Sequence, residues 1–279
     1  MHYGHPLEFG TLITPASDAP EAAVALARRS EELGYDLVTF RDRPDQPALL
    51  DTWTLLAWVA GRTGRIRLAA NVLNLPLHQP AVLARAAASL DLLSGGRLDL
   101  ALGGGADRAA SAAPGGEDLA PGEAVAALDE ALAIIRGLWD GGERAPLRVA
   151  GDYYRAEGAQ RGPLPAHEIP IWIGAAGPRM LRLIGREADG WLPTLGDGPG
   201  SLSPGDLRAA SAIIDAAARE AGRDPREIRR LANIAGRFAP TPGGFLDGPS
   251  ERWVADLLPL VVEEGFGTFI LMSDDPGTL

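Results

Sequence analysis

The sequence predicts an α/β fold, specifically a (β/α)8 barrel, on three observations. Eight short apolar runs of β character recur along its 279 residues. Amphipathic helical stretches separate nearly all of them, which implies parallel strands joined by right-handed crossovers. The first connection, 14–20, contains no glycine, whereas a doubly wound open sheet opens on a glycine-rich phosphate loop. Eight such repeats close into a barrel. With 46% hydrophobic residues the chain has enough apolar surface for one core, and a single domain over 1–279 is expected.

Each element has its own justification. Residues 7–13 form the first strand, and 22–33 a helix with Val24, Ala27 and Leu33 apolar and Gly34 as its stop. Strand two covers 35–40. Asp51 caps a helix that runs through Leu55, Leu56, Trp58 and Val59 to Gly61. Residues 65–73 make strand three. Pro80 opens the next helix, in which Val82, Ala86, Leu90 and Leu93 share a face before Gly95-Gly96. Strand four, 97–103, runs into Gly103-Gly104-Gly105. Over 123–139, Val125, Leu128, Leu132, Ile135 and Trp139 step by three and four. The pattern then breaks over 141–168, a Gly- and Pro-rich stretch with a candidate hairpin (147–149 and 153–154). Its length is that of an insertion over an active site. Strand five (169–174), a helix (178–188) and a short strand six (190–193) follow. Ser203-Pro204-Gly205-Asp206 is a capping box for a helix to Ala221. A turn at 224–227 leads to strand seven, 231–238. A helix over 250–264 and strand eight, Phe266–Met272, complete the count. No eighth helix follows before Leu279. Either the chain is shortened there, or a partner subunit covers that flank.

Composition removes whole chemistries. All 26 basic residues are Arg, and there is no Lys or Cys. Schiff-base enzymes, pyridoxal-phosphate enzymes and Walker-type loops need a lysine amine, and thiolate nucleophiles and cysteine-held metals need Cys. The net charge of −11 disfavours nucleic acid and anionic membranes as partners. No apolar run reaches the roughly 18 residues of a membrane span, and the N-terminus has no secretion pattern. A soluble cytoplasmic protein acting on a small molecule is the expectation.

In a barrel the residues just past each strand build the site. Strand two delivers Arg41, Asp42 and Arg43, and strand three Asn71, Val72 and Asn74. Strand four ends in its three glycines, followed by Asp107 and Arg108. Strand five delivers Gly174-Ala175-Ala176-Gly177-Pro178, and strand six Thr194. In the strand-five turn, small residues admit backbone amides to a ligand, and Pro178 leaves the following helix start open to an oxygen anion such as phosphate. The same glycines also suit a plain tight turn. Gly103–Gly105 admit either a flat ring or a simple turn, and Arg108 breaks the dinucleotide template. The four His lack metal-ligand spacing, so no metal is expected, and no G-x-S-x-G elbow exists.

Leu50-Asp51-Thr52-Trp53-Thr54-Leu55-Leu56-Ala57, the run 71–105 with its S-L-D-x-L-S-G-G-R block, and 169–193 resemble the bacterial luciferase-like oxidoreductases. Members of that family use FMN or the deazaflavin coenzyme F420 in a (β/α)8 barrel. The G-P-R-M-L-R-L-x-G-R-x-A-D-G-W block looks like the F420 branch, so F420 is favoured, with FMN the alternative. The resemblance implies a hydride-transferring oxidoreductase, possessing monooxygenase chemistry with FMN, and a homodimer. It implies a non-prolyl cis peptide at Asn71-Val72, bulged behind the cofactor's central ring. It puts Asn74 and Asp42 against the cofactor, Gly103 and Gly104 at the strand-four end, and Gly174, Ala175, Ala176, Gly177, Pro178, Arg179 and Met180 on the phosphate segment. Two departures stand out. Where relatives carry a catalytic His this chain has Arg43, which stays protonated and suits an anion clamp rather than a base. Where the sugar-phosphate dehydrogenases carry a proton-donating Glu it has Ala106. These departures keep open a cofactor-binding barrel without turnover, and the missing eighth helix keeps open a subunit of a heteromer.

Overall fold

The computed structural model describes residues 4–105, 111–112, 114–196, 200–275 and 277. β1 (Glu8–Ile13) leads to α1 (Pro20–Leu33), and β2 (Leu37–Phe40) to α2 (Thr52–Ala60). β3 (Arg67–Ala70) and β4 (Leu73–Asn74) precede α3 (Pro80–Ser94), and β5 (Leu100–Gly103) precedes α4 (Pro121–Trp139). A hairpin of β6 (Leu147–Ala150) and β7 (Arg155–Ala159) follows. Then come β8 (Ile171–Ile173), α5 (Pro178–Glu187), β9 (Gly190–Trp191), α6 (Pro204–Glu220) and β10 (Arg229–Ile234). The chain continues through β11 (Arg237–Phe238), β12 (Asp247–Gly248), α7 (Ser250–Val262) and β13 (Phe266–Met272).

Nine parallel strands run in the order β3-β2-β1-β13-β10-β9-β8-β5-β4. The two ends of that order, β3 and β4, are consecutive pieces of the third predicted strand, separated by Asn71 and Val72. A parallel bridge between Leu68 and Leu98 links β3 to the approach to β5. The sheet therefore meets itself, and the eight predicted staves close into a nearly complete barrel with helices outside. Local signals act as anticipated: Asp51 Oδ1 accepts the Thr54 amide at 2.8 Å, and Gly34 and Gly95 end their helices with φ of 92° and 73°.

Three boundaries differ from the sequence expectation. The third strand is interrupted at 71–72 rather than continuous to 73. The seventh stops at Ile234, because the chain turns so that β11 pairs with β12. A Cβ on Gly236 at that turn would lie 2.6 Å from Trp253 Cζ2. The 141–168 stretch does not cover the mouth of the barrel. It lies along α4, where Glu130 accepts the amides of Asp152, Tyr153 and Tyr154 at 2.8 to 2.9 Å, and it enters β8 at its amino end.

Alternate strand residues fill the barrel interior: Leu12, Leu37, Ala69, Ala101, Trp172, Leu192, Leu231 and Ile270. Trp172 is thus an interior plug, and Gly190 makes room for it, since a Cβ there would fall 2.5 Å from its Cδ1. The amino-terminal end is closed by charge. Arg67 meets Asp99 at 3.0 Å and also pairs with Glu8, which Arg229 reaches at 3.1 Å. Burial pushes the Asp99 carboxyl up to about 6 against the opposing pull of Arg67. The apolar plug and the ion pairs shut one end, so solvent and ligands enter the barrel from the carboxyl ends of the strands.

Candidate active site at the barrel mouth

A cavity of about 690 Å³ opens at those carboxyl ends. Arg41, Asp42 and Arg43 after β2, Asn71 and Val72 between β3 and β4, and Gly174–Gly177 after β8 form three of its sides. Leu12, Leu192 and Met272 supply apolar wall, and Thr194 and Asn233 add polar groups. A second cavity of about 490 Å³ shares the 174–177 wall and extends between Gly104, Ala124 and Val125 to Met180.

The 71–72 step sets the floor. The Asn71-Val72 peptide is cis, as the resemblance implied, and Val72 projects between two strand ends. A Cβ on Gly103 would lie 2.7 Å from Val72 Cγ2, and one on Gly174 3.2 Å from Val72 Cγ1. These glycines therefore make space for Val72. That is a third reason for glycine, beside the ring and turn readings. Asn71 turns inward. Its Nδ2 donates to Asn233 Oδ1 at 2.7 Å and Thr39 Oγ1 at 3.2 Å, and Asn233 Nδ2 returns a hydrogen bond to Asn71 Oδ1 at 3.0 Å.

The strand-five turn is held from behind. Trp191 is fully buried, and its Nε1 donates to the Ala175 carbonyl at 2.8 Å. Gly177 is the N-cap of α5 and brings no side chain to the first-turn amides, Pro178 is the first helical residue, and the Leu181 amide already reaches the Gly177 carbonyl. The remaining first-turn N–H groups and the helix dipole face the shared wall, a geometry that favours an oxygen anion. Exposed Arg179 stands beside them and approaches Gly122 in the first turn of α4.

The strand-two residues divide their work. Asp42 is almost buried; its Oδ2 accepts the Asn74 amide at 2.8 Å and lies 3.7 Å from His78 Nε2. Arg43 is half-exposed and grips Asp45 through Nε at 2.8 Å and a second nitrogen at 2.7 Å. Those bonds hold the Asp45 carboxyl well below the usual range. An anion approaching Arg43 competes with Asp45. Arg41 lines the same rim and makes no side-chain ion pair among the described residues.

Of the residues singled out from sequence, Asp42, Arg43, Asn71, Val72 and 174–177 meet at the first cavity, and Gly104, Pro178, Arg179 and Met180 at the second. Gly103 packs on Val72 behind the wall. Asn74 lines neither cavity: its Nδ2 donates to Ser111 Oγ at 3.0 Å. Ala106, Asp107 and Arg108 lie outside the described residues. Asn233 was missed. Its one signal is a lone amide within the apolar run 231–234, at a position that the barrel turns inward. Among the described residues no cluster of His, Asp and Glu is arranged to hold a metal, and no helix is long and apolar enough to cross a membrane.

The comparisons agree with this architecture. The chain is 38% identical over 194 residues to the phthiodiolone/phenolphthiodiolone dimycocerosates ketoreductase of Mycobacterium kansasii, covering 66% of this chain and 48% of that protein. It spans about half the length of that relative. Over 235 residues it is 32% identical to the F420-dependent glucose-6-phosphate dehydrogenase of Kineococcus radiotolerans, covering 81% and 68%. Its fold superposes on an F420-dependent secondary alcohol dehydrogenase, solved with an F420–acetone adduct, with a TM-score of 0.84 at 19% identity, covering 98% and 95% of the two chains. The family model for luciferase-like monooxygenase matches residues 1–242. With the closed barrel, the 71–72 bulge and the open strand-five turn, that match means the chain belongs to the luciferase-like monooxygenase family.

Proposed function

We propose that this protein is a deazaflavin-dependent oxidoreductase that moves a hydride between F420 and a small organic substrate at the barrel mouth. The observation that carries the reading is the shared 174–177 wall, with the Val72 ridge on one side and an open helix start on the other. A flat ring with a phosphate-bearing tail needs both a smooth apolar support and an anion site about one side chain away. Val72, flanked by Gly103 and Gly174, offers the support, and Gly177 to Met180 offer the anion site. FMN has the same two requirements and is the alternative occupant. When bound, F420 supplies hydride chemistry at its central ring.

The chain's own residues do the rest. Leu12, Leu192 and Met272 keep water from the ring face. Asp42 fixes the Asn74 amide and so the β4 end of the bulge. Trp191 fixes Ala175 and so the turn that meets the phosphate. Arg41 offers a guanidinium to an anionic group on the substrate. Arg43, braced by Asp45, acts on charge at the rim and not on protons. A homodimer, a cytoplasmic setting and one domain over 1–279 complete the reading; sedimentation, fractionation and a single cooperative melt check them in turn.

The decisive experiment is an absorbance spectrum of natively purified protein, followed by calorimetric titration with F420 and FMN. Saturable binding of F420 at micromolar levels, tighter than FMN, is expected. Binding of neither would overturn the proposal, and binding of FMN alone would reassign the cofactor.

A further inference from the structure

Directly across the barrel from the 71–72 step stands β10. It is the middle strand of a nine-strand order whose ends are β3 and β4. From it the side chain of Asn233, only 5% exposed, points inward and meets that of Asn71 from the opposite wall. The two carboxamides face each other in a reciprocal pair, with Nδ2 to Oδ1 bonds of 2.7 and 3.0 Å. The pair is extended at both ends. Asn71 Nδ2 also donates to Thr39 Oγ1, which itself donates to the Thr11 carbonyl, and Asn233 Nδ2 reaches Thr194 Oγ1 at 3.4 Å. All four amide hydrogens of the pair are thereby engaged. Below lies the apolar interior headed by Trp172, and above lies the mouth cavity.

We infer that Asn233 is a positioning residue for the cofactor-binding floor: its amide pair with Asn71 ties the bulge to the opposite wall and sets the height of Val72. This rests on the reading that a flat cofactor lies on Val72. The physical argument is one of partners. The apolar interior below offers Asn71 no polar group, so without Asn233 its Oδ1 loses its partner and its Nδ2 keeps only Thr39. A part-buried polar group left half-paired at the cavity lining turns toward the water above it, here upward into the cavity, and takes Val72 with it. Because its amide hydrogens are spent, the floor offers the ring only spare acceptor lone pairs on the two Oδ1 atoms and no further donor.

The test uses Asn233→Leu, close in size but unable to pair, and Asn233→Ser, which stays polar but is too short to reach Asn71. Affinity for F420 and FMN is read by calorimetry, and the single-turnover hydride-transfer rate at saturating cofactor separately. In the cofactor-free protein, the side-chain amide signals of Asn71 and Asn233 are followed by NMR hydrogen exchange. Expected are slow exchange of both amides in the wild type, loss of that protection for Asn71 in both variants, and cofactor binding weakened about tenfold or more. Asn71→Leu combined with Asn233→Leu should weaken binding no more than either change alone, since the two act as a unit. A role confined to stability would lower the melting temperature while leaving affinity and transfer rate at saturation intact. That outcome, or unprotected amides in the wild type, overturns the inference. If wild type binds neither cofactor, the cofactor reading fails, while the exchange data still decide whether the clamp exists.

Discussion

Replacing Gly103 with Ala puts one methyl group against Val72, in the tightest of the glycine contacts around that side chain. Neither Gly103 nor Gly174 has a left-handed backbone conformation, so the cost of alanine at either is steric and not conformational. At Gly103 the new carbon would sit 2.7 Å from Val72 Cγ2, about 1 Å inside a normal carbon–carbon contact of roughly 3.5 to 4.0 Å. At Gly174 the nearest approach is 3.2 Å, and at Gly177 nothing lies within 4 Å. Overpacking of this kind costs about 1–3 kcal/mol, so Gly103→Ala should fall within that range and Gly174→Ala below it, while Gly177→Ala should carry no steric cost, only the roughly 0.5 kcal/mol of placing Ala at the N-cap of α5. The displaced atom is Val72, the proposed support of the ring, so cofactor affinity should fall in the same order. Val72→Ala in the Gly103→Ala background removes the colliding methyl and should recover part of the lost stability. Denaturant unfolding and calorimetry on the four variants check this. Equal stability of Gly103→Ala and Gly177→Ala, or no relief from Val72→Ala, would refute the packing argument.

Three other outcomes are expected. Asp99 is held protonated by burial to about 6, against an ordinary 3.8. Its favourable contribution is therefore complete below about 4 and lost as pH rises through about 6, which amounts to about 3 kcal/mol. Asp99→Asn should accordingly gain about that much on wild type between pH 4 and pH 8, as read by urea melts, and a pH-independent difference would count against it. Trp191→Phe leaves the Ala175 carbonyl without its 2.8 Å donor. It should weaken binding of a phosphate-bearing cofactor about tenfold while a phosphate-free analogue binds as before; equal losses for both ligands would reject the link to the turn. Arg43→Ala releases the Asp45 carboxylate beside the mouth, and kcat/KM for an anionic substrate should drop more at low than at high salt. Unchanged affinity and turnover would remove Arg43 from the site.

Much of the barrel was legible because its signals are local. Asp51 before Thr54, Gly34 and Gly95 after their helices, and Pro80 and Pro178 at helix starts each act within one turn of chain. Those signals set where helices begin and end, whatever lies across the molecule. The open turn at 174–178 was readable for the same reason: small residues followed by Pro178 describe their own backbone. What failed was decided at longer range. The third strand reads as one apolar run, yet its interruption depends on Val72 fitting between Gly103 and Gly174, which come together only when the sheet closes. The 141–168 stretch was expected over the mouth, because nothing near it in sequence announces the anchor on Glu130.

By itself the sequence determined the order of strands and helices, the open small-residue turn at 174–178, and the absence of Lys and Cys, which excludes amine and thiolate nucleophiles. Those properties follow from side-chain identity and nearest neighbours. Only the tertiary structure decided that Asn71 meets Asn233, residues 162 apart in sequence, that Trp191 braces Ala175, and that Gly103 is glycine on account of Val72. Each of these is a contact between groups on different staves. Which staves face one another, and at what height, is a property of the closed barrel and not of any one strand.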